Sequence, residues 1–250
     1  MTYALQTRSL CKCFGDFIAI NDVTLNVAEG ARHALIGPNG AGKTTLINLL
    51  TGFLEPTSGS VILKDEDVTR QPQHRRVKRG LARTFQINRL FADMTVLESV
   101  TLAVNERQGI AARWWRPVGA HGEAIDEAAS LLGQLGLLDV AHTQTKDLAY
   151  GKQRMIEIAL ALAARPSVLL LDEPAAGVPT EESRELFEMI SQLPREVTIL
   201  LIEHDMDLVF RFADRISVLV FGGLLTEDVP DVIAVDPRVR EVYLGDSSHG

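Results

Sequence analysis

The chain has 250 residues, 46% of them hydrophobic and 23% charged, an ordinary globular balance that suffices for one large domain or two small ones. Its net charge of −8 excludes a broad nucleic-acid-binding face, because neutralising phosphates needs clustered Lys and Arg. No stretch approaches the roughly 18 consecutive apolar residues of a membrane span, and the start MTYALQTRSLCKCF lacks the apolar segment of a secretory signal, so the expected compartment is the cytosol.

Residues 2–27 alternate apolar and polar in two strand-like runs around a turn at Gly15 and Asp16, which predicts an antiparallel flap beside a nucleotide site. Phe14 or Phe17 from this flap either stacks on a purine ring or packs into the core, and Phe14, just before Gly15, is the stronger candidate for stacking. Cys11 and Cys13 lie two apart on a predicted strand and face the same side, a poor geometry for a disulfide, and read as reduced thiols. A strand at 34–36 then runs into the glycine-rich turn Gly37, Pro38, Asn39, Gly40, Ala41, Gly42, followed by Lys43, Thr44 and Thr45 at the start of a predicted helix over 43–53. A turn at Pro56, Ser58 and Gly59 leads to a strand over 61–63. The basic stretch Arg75, Arg76, Lys78, Arg79 reads as a solvated helix face.

A strand over 81–85 ends at Gln86, and apolar residues then recur every three or four positions over 96–107, 123–135 and 153–164, predicting three helices inserted within an α/β core. Between the first two, the segment 108–122 is broken by Gly109, Pro117, Gly119 and Gly122 and carries Trp114 and Trp115, either a docking loop or two rings packed on the helices. The sheet resumes with an apolar run over 168–171 that ends in Asp172, Glu173 and Pro174, alternates with a helix over 181–193, and continues through strands at 198–202 and 216–221. The strand at 198–202 leads into Glu203, His204 and Asp205, and short helices near Val232 and Val239 form a terminal appendage.

The sequence from Gly37 to Thr45 fits GxxxxGK[ST], the cradle of a nucleoside triphosphate. Its glycines let successive N–H groups face inward at a helix N-terminus, Lys43 reaches the β- and γ-phosphates, the Thr44 hydroxyl is placed for Mg2+, and Thr45 lies toward the α-phosphate. Asp172, at the end of a buried parallel strand, sits where such sheets place ligands and can hold the Mg2+ shell through water. Glu173 is then the natural general base for the attacking water, and His204 reaches the γ-phosphate edge.

The order of aromatic flap, GPNGAGKTT, RTFQ, LAYGKQ, LLLDEP and IEHD resembles the ATP-binding cassette family over nearly the whole chain. The resemblance implies an α/β P-loop NTPase core with a mixed sheet, an N-terminal antiparallel β subdomain and an inserted α-helical subdomain. Its expected limits are about 1–90 and 166–228 for the core, 91–165 for the helical part and 229–250 for a tail. It implies that Gln86 touches Mg2+ and the attacking water, that Glu173 is the catalytic base and that His204 is a switch histidine. The family signature LSGGQ, which binds the γ-phosphate held by a second subunit, corresponds here to Leu148, Ala149, Tyr150, Gly151 and Lys152. Ala149 removes the serine hydroxyl, Tyr150 replaces a glycine and Lys152 a glutamine, while the loop 175–179 lacks the family's usual aspartate. LAYG, RTFQ, EPAAG and the ending DPRVREVYLGD are similar to one subgroup, the ATPases of branched-chain amino acid importers.

By that resemblance the cofactors are ATP and Mg2+, and the partners are a second cassette, identical or different, two membrane permeases and, indirectly, a periplasmic binding protein, with no nucleic acid. The chain would sit peripherally on the cytoplasmic face of the inner membrane, with Leu90, Phe91, Met94 and the Trp114 loop receiving a short helix of the permease. Urea importer and lipopolysaccharide exporter ATPases share the phosphate loop and length, and a soluble cassette ATPase is the alternative from another class.

Overall fold

The computed structural model describes residues 2–84, 92–109 and 122–245. The chain divides into two compact units, one of Met1–Arg83, Ser167–Glu173 and Pro194–Gly250, the other of Thr84–Pro166 and Pro174–Leu193. Strands and helices are numbered along the whole chain.

In the first unit, β1 (Tyr3–Phe14) turns at Gly15 and Asp16 into β2 (Phe17–Val23), and pairs also with β3 (Asn26–Ala28) and β5 (Ser58–Leu63); β5 carries β6 (Glu66–Asp67). All these pairings are antiparallel, as the alternating pattern predicts. Cys11 and Cys13 on β1 are free thiols. A second, six-stranded sheet has the order β11 (Gly223–Asp228), β10 (Arg215–Val220), β4 (Arg32–Ile36), β9 (Thr198–Ile202), β8 (Val168–Asp172), β7 (Leu81–Arg83). Five of its strands are parallel, and β11 returns antiparallel on β10, so the sheet is mixed. The predicted strand over 81–85 is described as far as Arg83; Phe85 lies outside the described residues.

All five residues of β4 are buried, because both faces of the sheet are covered. Leu35 joins one cluster with Leu46, Ile47 and Leu50 of α1 (Lys43–Thr51) and with Leu170 and Leu200. Ala34 and Ile36 point the other way, to Val209 of α7 (Met206–Phe212), Ile216, Val218 and, from the terminal helices α8 (Pro230–Val235) and α9 (Pro237–Gly245), Ile233 and Val239. Each fully buried Leu or Ile of this kind contributes about 1.5–3 kcal/mol.

The basic stretch departs from expectation. It does form a helix, α2 (Gln73–Lys78), with Arg75, Lys78 and Arg79 exposed, but Arg76 is only 1% exposed. Its guanidinium donates to the carbonyls of Leu49 and Leu50 at 2.7 Å each, of Thr69 at 2.8 Å and of Gln71 at 2.9 Å. The end of α1 leaves carbonyls without helical partners, and Arg76 supplies the donors. Charge counting along a helix face could not separate this arginine from its solvated neighbours.

The second unit is helical. α3 (Val96–Arg107) opens with a capping box, Thr95 accepting from the Glu98 N–H while the Glu98 carboxylate accepts from the Thr95 N–H. It packs with α4 (Gly122–Gln134) and α5 (Tyr150–Ala163), and α5 packs with α6 (Thr180–Ser191). The segment 174–193, expected with the core, groups with these helices. Trp114 and Trp115, and Leu90 and Phe91, lie outside the described residues.

Candidate active site

The C-terminal edge of the parallel strands gathers the expected residues of the first unit. Register sets Leu35 opposite Ile202 and Ile202 opposite Asp172, so the glycine-rich turn after β4, Glu203 after β9 and Asp172 at the end of β8 stand level on adjoining strands. Open α/β sheets bind ligands at that edge.

The turn from Gly37 to Gly42 demands glycine at its two ends. A Cβ on Gly37 would be driven into the carbonyl oxygen of Leu219, and Gly42 has φ 103° with the Ala19 carbonyl oxygen 2.8 Å from where its Cβ would stand. Between them Pro38 is half-buried, Asn39 and Gly40 are exposed and Ala41 is buried. The Ala41 N–H donates to the Pro38 carbonyl at 3.2 Å. The Lys43 ammonium donates to the carbonyls of Gly37 at 2.6 Å and Pro38 at 3.0 Å. Burial holds its pKa below the ordinary lysine value, opposed by the charges of Glu173 and Asp172. Thr44 is exposed and Thr45 half-buried on the first turn of α1.

Asp172 Oδ2 accepts from Arg83 Nη2 at 2.7 Å, and Arg83 Nη1 donates to Asn48 Oδ1 at 2.8 Å. Arg83 thus ties the end of β7 to α1 and to Asp172, a role the sequence offered no signal for beyond its place in RTFQ. Glu173 follows with φ 47°, a left-handed backbone rare for a non-glycine residue, and its N–H donates to the Ile202 carbonyl at 2.9 Å. Beyond β9, Glu203 is 1% exposed and accepts the His204 N–H at 3.0 Å, whereas the His204 side chain is 67% exposed. Asp205 faces away from this chemistry: its carboxylate caps α7, accepting from the N–H groups of Asp207 and Leu208. Gln86 lies outside the described residues.

On the flap, Phe14 is 48% exposed and Phe17 67%, so neither is a core residue, and both are free to meet a flat ligand. Lys12 Nζ stands 5.1 Å from the Phe14 ring. In the second unit, Leu148 and Ala149 precede α5, whose first residues are Tyr150, Gly151 and Lys152. The expected signature segment is therefore a helix start, whose first-turn N–H groups have no acceptor within the helix. Among the described residues no group of three or more His, Cys, Asp or Glu is placed to hold a metal. A hydroxyl on Thr44 and a carboxylate on Asp172 are hard oxygen donors, which fit Mg2+ held mainly by water and phosphates.

A glycine-rich strand-to-helix turn with an inward lysine, two carboxylates at the end of another parallel strand of the same sheet and an inserted helical unit together define a P-loop ATPase of the cassette type. The chain belongs to the ABC transporter family, whose model matches residues 20–176, and it is an ATPase. It is 42% identical to the high-affinity branched-chain amino acid transport ATP-binding protein LivG of Escherichia coli K12, over 97% of this chain and 98% of that one. In structure it resembles the ADP conformation of MJ1267, an ATP-binding cassette of an ABC transporter, with TM-score 0.87, 31% identity, and 98% of this chain and 100% of that one covered. It also resembles the dimeric structure of MJ0796, a bacterial ABC transporter cassette, with TM-score 0.73, 25% identity, and 90% and 98% covered.

Proposed function

We propose that this chain is the ATP-hydrolysing subunit of an importer for branched-chain amino acids or closely related small molecules, bound peripherally to the cytoplasmic face of the inner membrane. The observation that carries the site is the convergence of Lys43, Asp172 and Glu173 at one sheet edge, where both carboxylates act on the Lys43 charge. End-to-end likeness to a branched-chain amino acid transport protein supports the substrate class.

In this reading the N–H groups between Gly37 and Thr45 and the Lys43 ammonium take the phosphates, Lys43 exchanging its bonds to the Gly37 and Pro38 carbonyls for phosphate oxygens. The exposed Phe14 stacks on the purine. Thr44 and Asp172 would hold Mg2+, and Gln86 would take the role toward the ion and the attacking water that the family resemblance implies; the ion would supply charge neutralisation on the β- and γ-phosphates. Glu173 orients and deprotonates the attacking water, held by its constrained backbone, and the exposed His204 meets the γ-phosphate edge. Two cassettes close head to tail, the α5 start of each on the nucleotide of the other, and hydrolysis reopens them. That cycle drives two permeases, which a periplasmic binding protein supplies with substrate.

Glu173→Gln should keep ATP binding while hydrolysis falls about 100- to 10,000-fold; near-normal turnover would remove Glu173 from the mechanism. Affinity purification of the tagged chain from membranes, followed by mass spectrometry, should recover two multi-span permeases and a second cassette or a second copy. Recovery of ribosomes, or of nothing from membranes, would overturn the importer reading.

A further inference from the structure

The departures of the signature segment from the family pattern have a structural counterpart in the second unit. Helix α5 begins at Tyr150, and its N-cap, Ala149, offers no side-chain acceptor to the N–H groups of the first turn. One of those groups has an acceptor of another origin. The Gly151 N–H donates to Glu182 Oε2 at 2.7 Å, a carboxylate that arrives from α6, 31 positions along the chain. The approach is tight: a Cβ on Gly151 would stand 2.7 Å from Glu182 Cβ. Gly151 is buried and Glu182 half-buried.

The neighbouring Tyr150 and Arg154 are engaged with one another. The Tyr150 hydroxyl accepts from Arg154 Nη2, and the Arg154 guanidinium lies 4.8 Å from the centre of the Tyr150 ring. Arg154 Nη1 donates at 2.8 Å to Glu157, a buried carboxylate whose pKa burial pushes up. The tyrosine that replaces the signature glycine and the cation four residues on thus form their own network, leaving the Glu182 carboxylate on the Gly151 N–H.

A γ-phosphate presented by a facing cassette would need that same N–H. One N–H serves one strong acceptor, and a carboxylate within hydrogen-bond distance of the donor repels an approaching phosphate. Resting on the proposed function, in which this helix start closes on a partner's nucleotide, we propose that Glu182 is a resident competing acceptor on Gly151 that the γ-phosphate must displace, so that Glu182 sets the ATP concentration at which two cassettes close. It also gives the segment after Glu173 an acidic contact to the signature, where the loop 175–179 carries no acidic residue. A carboxylate that only capped α5 would make the opposite prediction, since its removal would weaken the helix start and closure with it.

The test uses the full chain in a Glu173→Gln background, with ATP titrated and the dimer fraction followed by sedimentation velocity. Nucleotide affinity is measured in parallel with a fluorescent ATP analogue at protein concentrations too low for dimers. Adding Glu182→Ala should lower the half-maximal ATP concentration for dimer formation about five- to tenfold, the net scale of one ordinary hydrogen bond, with monomer affinity unchanged and ADP still unable to drive closure. Glu182→Gln, which keeps the shape and loses the charge, should fall between, and it carries the test if the alanine variant does not fold. Absence of a gain overturns the proposal, whether the dimer is unchanged, weakened or missing in every variant. Failure of the Glu173→Gln parent to bind ATP would instead sink the proposed function on which it stands.

Discussion

His33 should make this protein lose stability in mild acid, through the strand that delivers the phosphate loop. The imidazole is fully buried in β4, with Nε2 2.8 Å from Ser217 Oγ on β10, whose hydroxyl also donates to Glu227 at 2.9 Å. Among the described residues His33 Nδ1, itself buried, has no hydrogen-bond partner. Burial dominates and lowers its pKa from 6.5 to about 4; the Arg215 charge adds to the lowering, while Glu227 and Asp214 oppose it. A base whose pKa is depressed in the fold is neutral there while the unfolded chain still takes up a proton. The stability it contributes is therefore complete above pH 6.5 and lost progressively as pH falls toward 4. Linkage across that window gives a loss of about 2 kcal/mol at pH 5 and about 3 kcal/mol at pH 4, relative to pH 8. His33→Gln, which cannot titrate and can still reach Ser217, removes this component while leaving that of every carboxylate. Urea unfolding of both proteins at pH 8 and pH 5 should show the wild-type midpoint falling further by about 1 M, for a slope of about 2 kcal/mol/M. Parallel pH dependence in the two proteins would refute the assignment.

Three further outcomes follow from other contacts. Arg76→Leu should lower stability by about 3–5 kcal/mol, because it strips a buried cation from carbonyls at the end of α1; a change below about 1 kcal/mol in denaturant unfolding would return Arg76 to the solvated face. Phe14→Ala should weaken ATP binding by about 1–3 kcal/mol if the ring stacks on a base, with Phe14→Trp retaining affinity in a fluorescence titration; equal affinity in all three proteins would remove Phe14 from the site. Gly37→Ala should abolish nucleotide binding or soluble expression, because its Cβ has no room beside the Leu219 carbonyl, and a well-folded variant with unchanged affinity would show that the loop conformation is not required.

Much of the site was legible in the sequence because its parts are contiguous and each carries its own physics. The glycine pattern from Gly37 to Gly42 fixes a backbone that only glycine can follow, and the apolar run into Asp172 and Glu173 marks a doubly covered strand with carboxylates at its end. Helical periodicity gave α3 its limits, Val96–Arg107, and the antiparallel flap declared itself by alternation. The exposure of Phe14 and Phe17 was not legible, since an aromatic in an alternating strand suits either face until the neighbouring sheet is known.

What tertiary structure alone decided are the partners of polar groups far apart in the chain. Arg76 and Leu49 are 27 positions apart, Gly151 and Glu182 31, Arg83 and Asp172 89, and His33 and Ser217 184. The sequence by itself determined which short segments turn, cradle an anion or end a strand in acid, because those properties depend on residues within a few positions of one another. It could not determine which arginine is buried, which carboxylate holds the signature donor or which histidine is kept neutral. Those depend on burial and on a matching donor or acceptor brought up from another strand or helix, and the free energy of a buried polar group is set by that neighbour rather than by its own place in the chain.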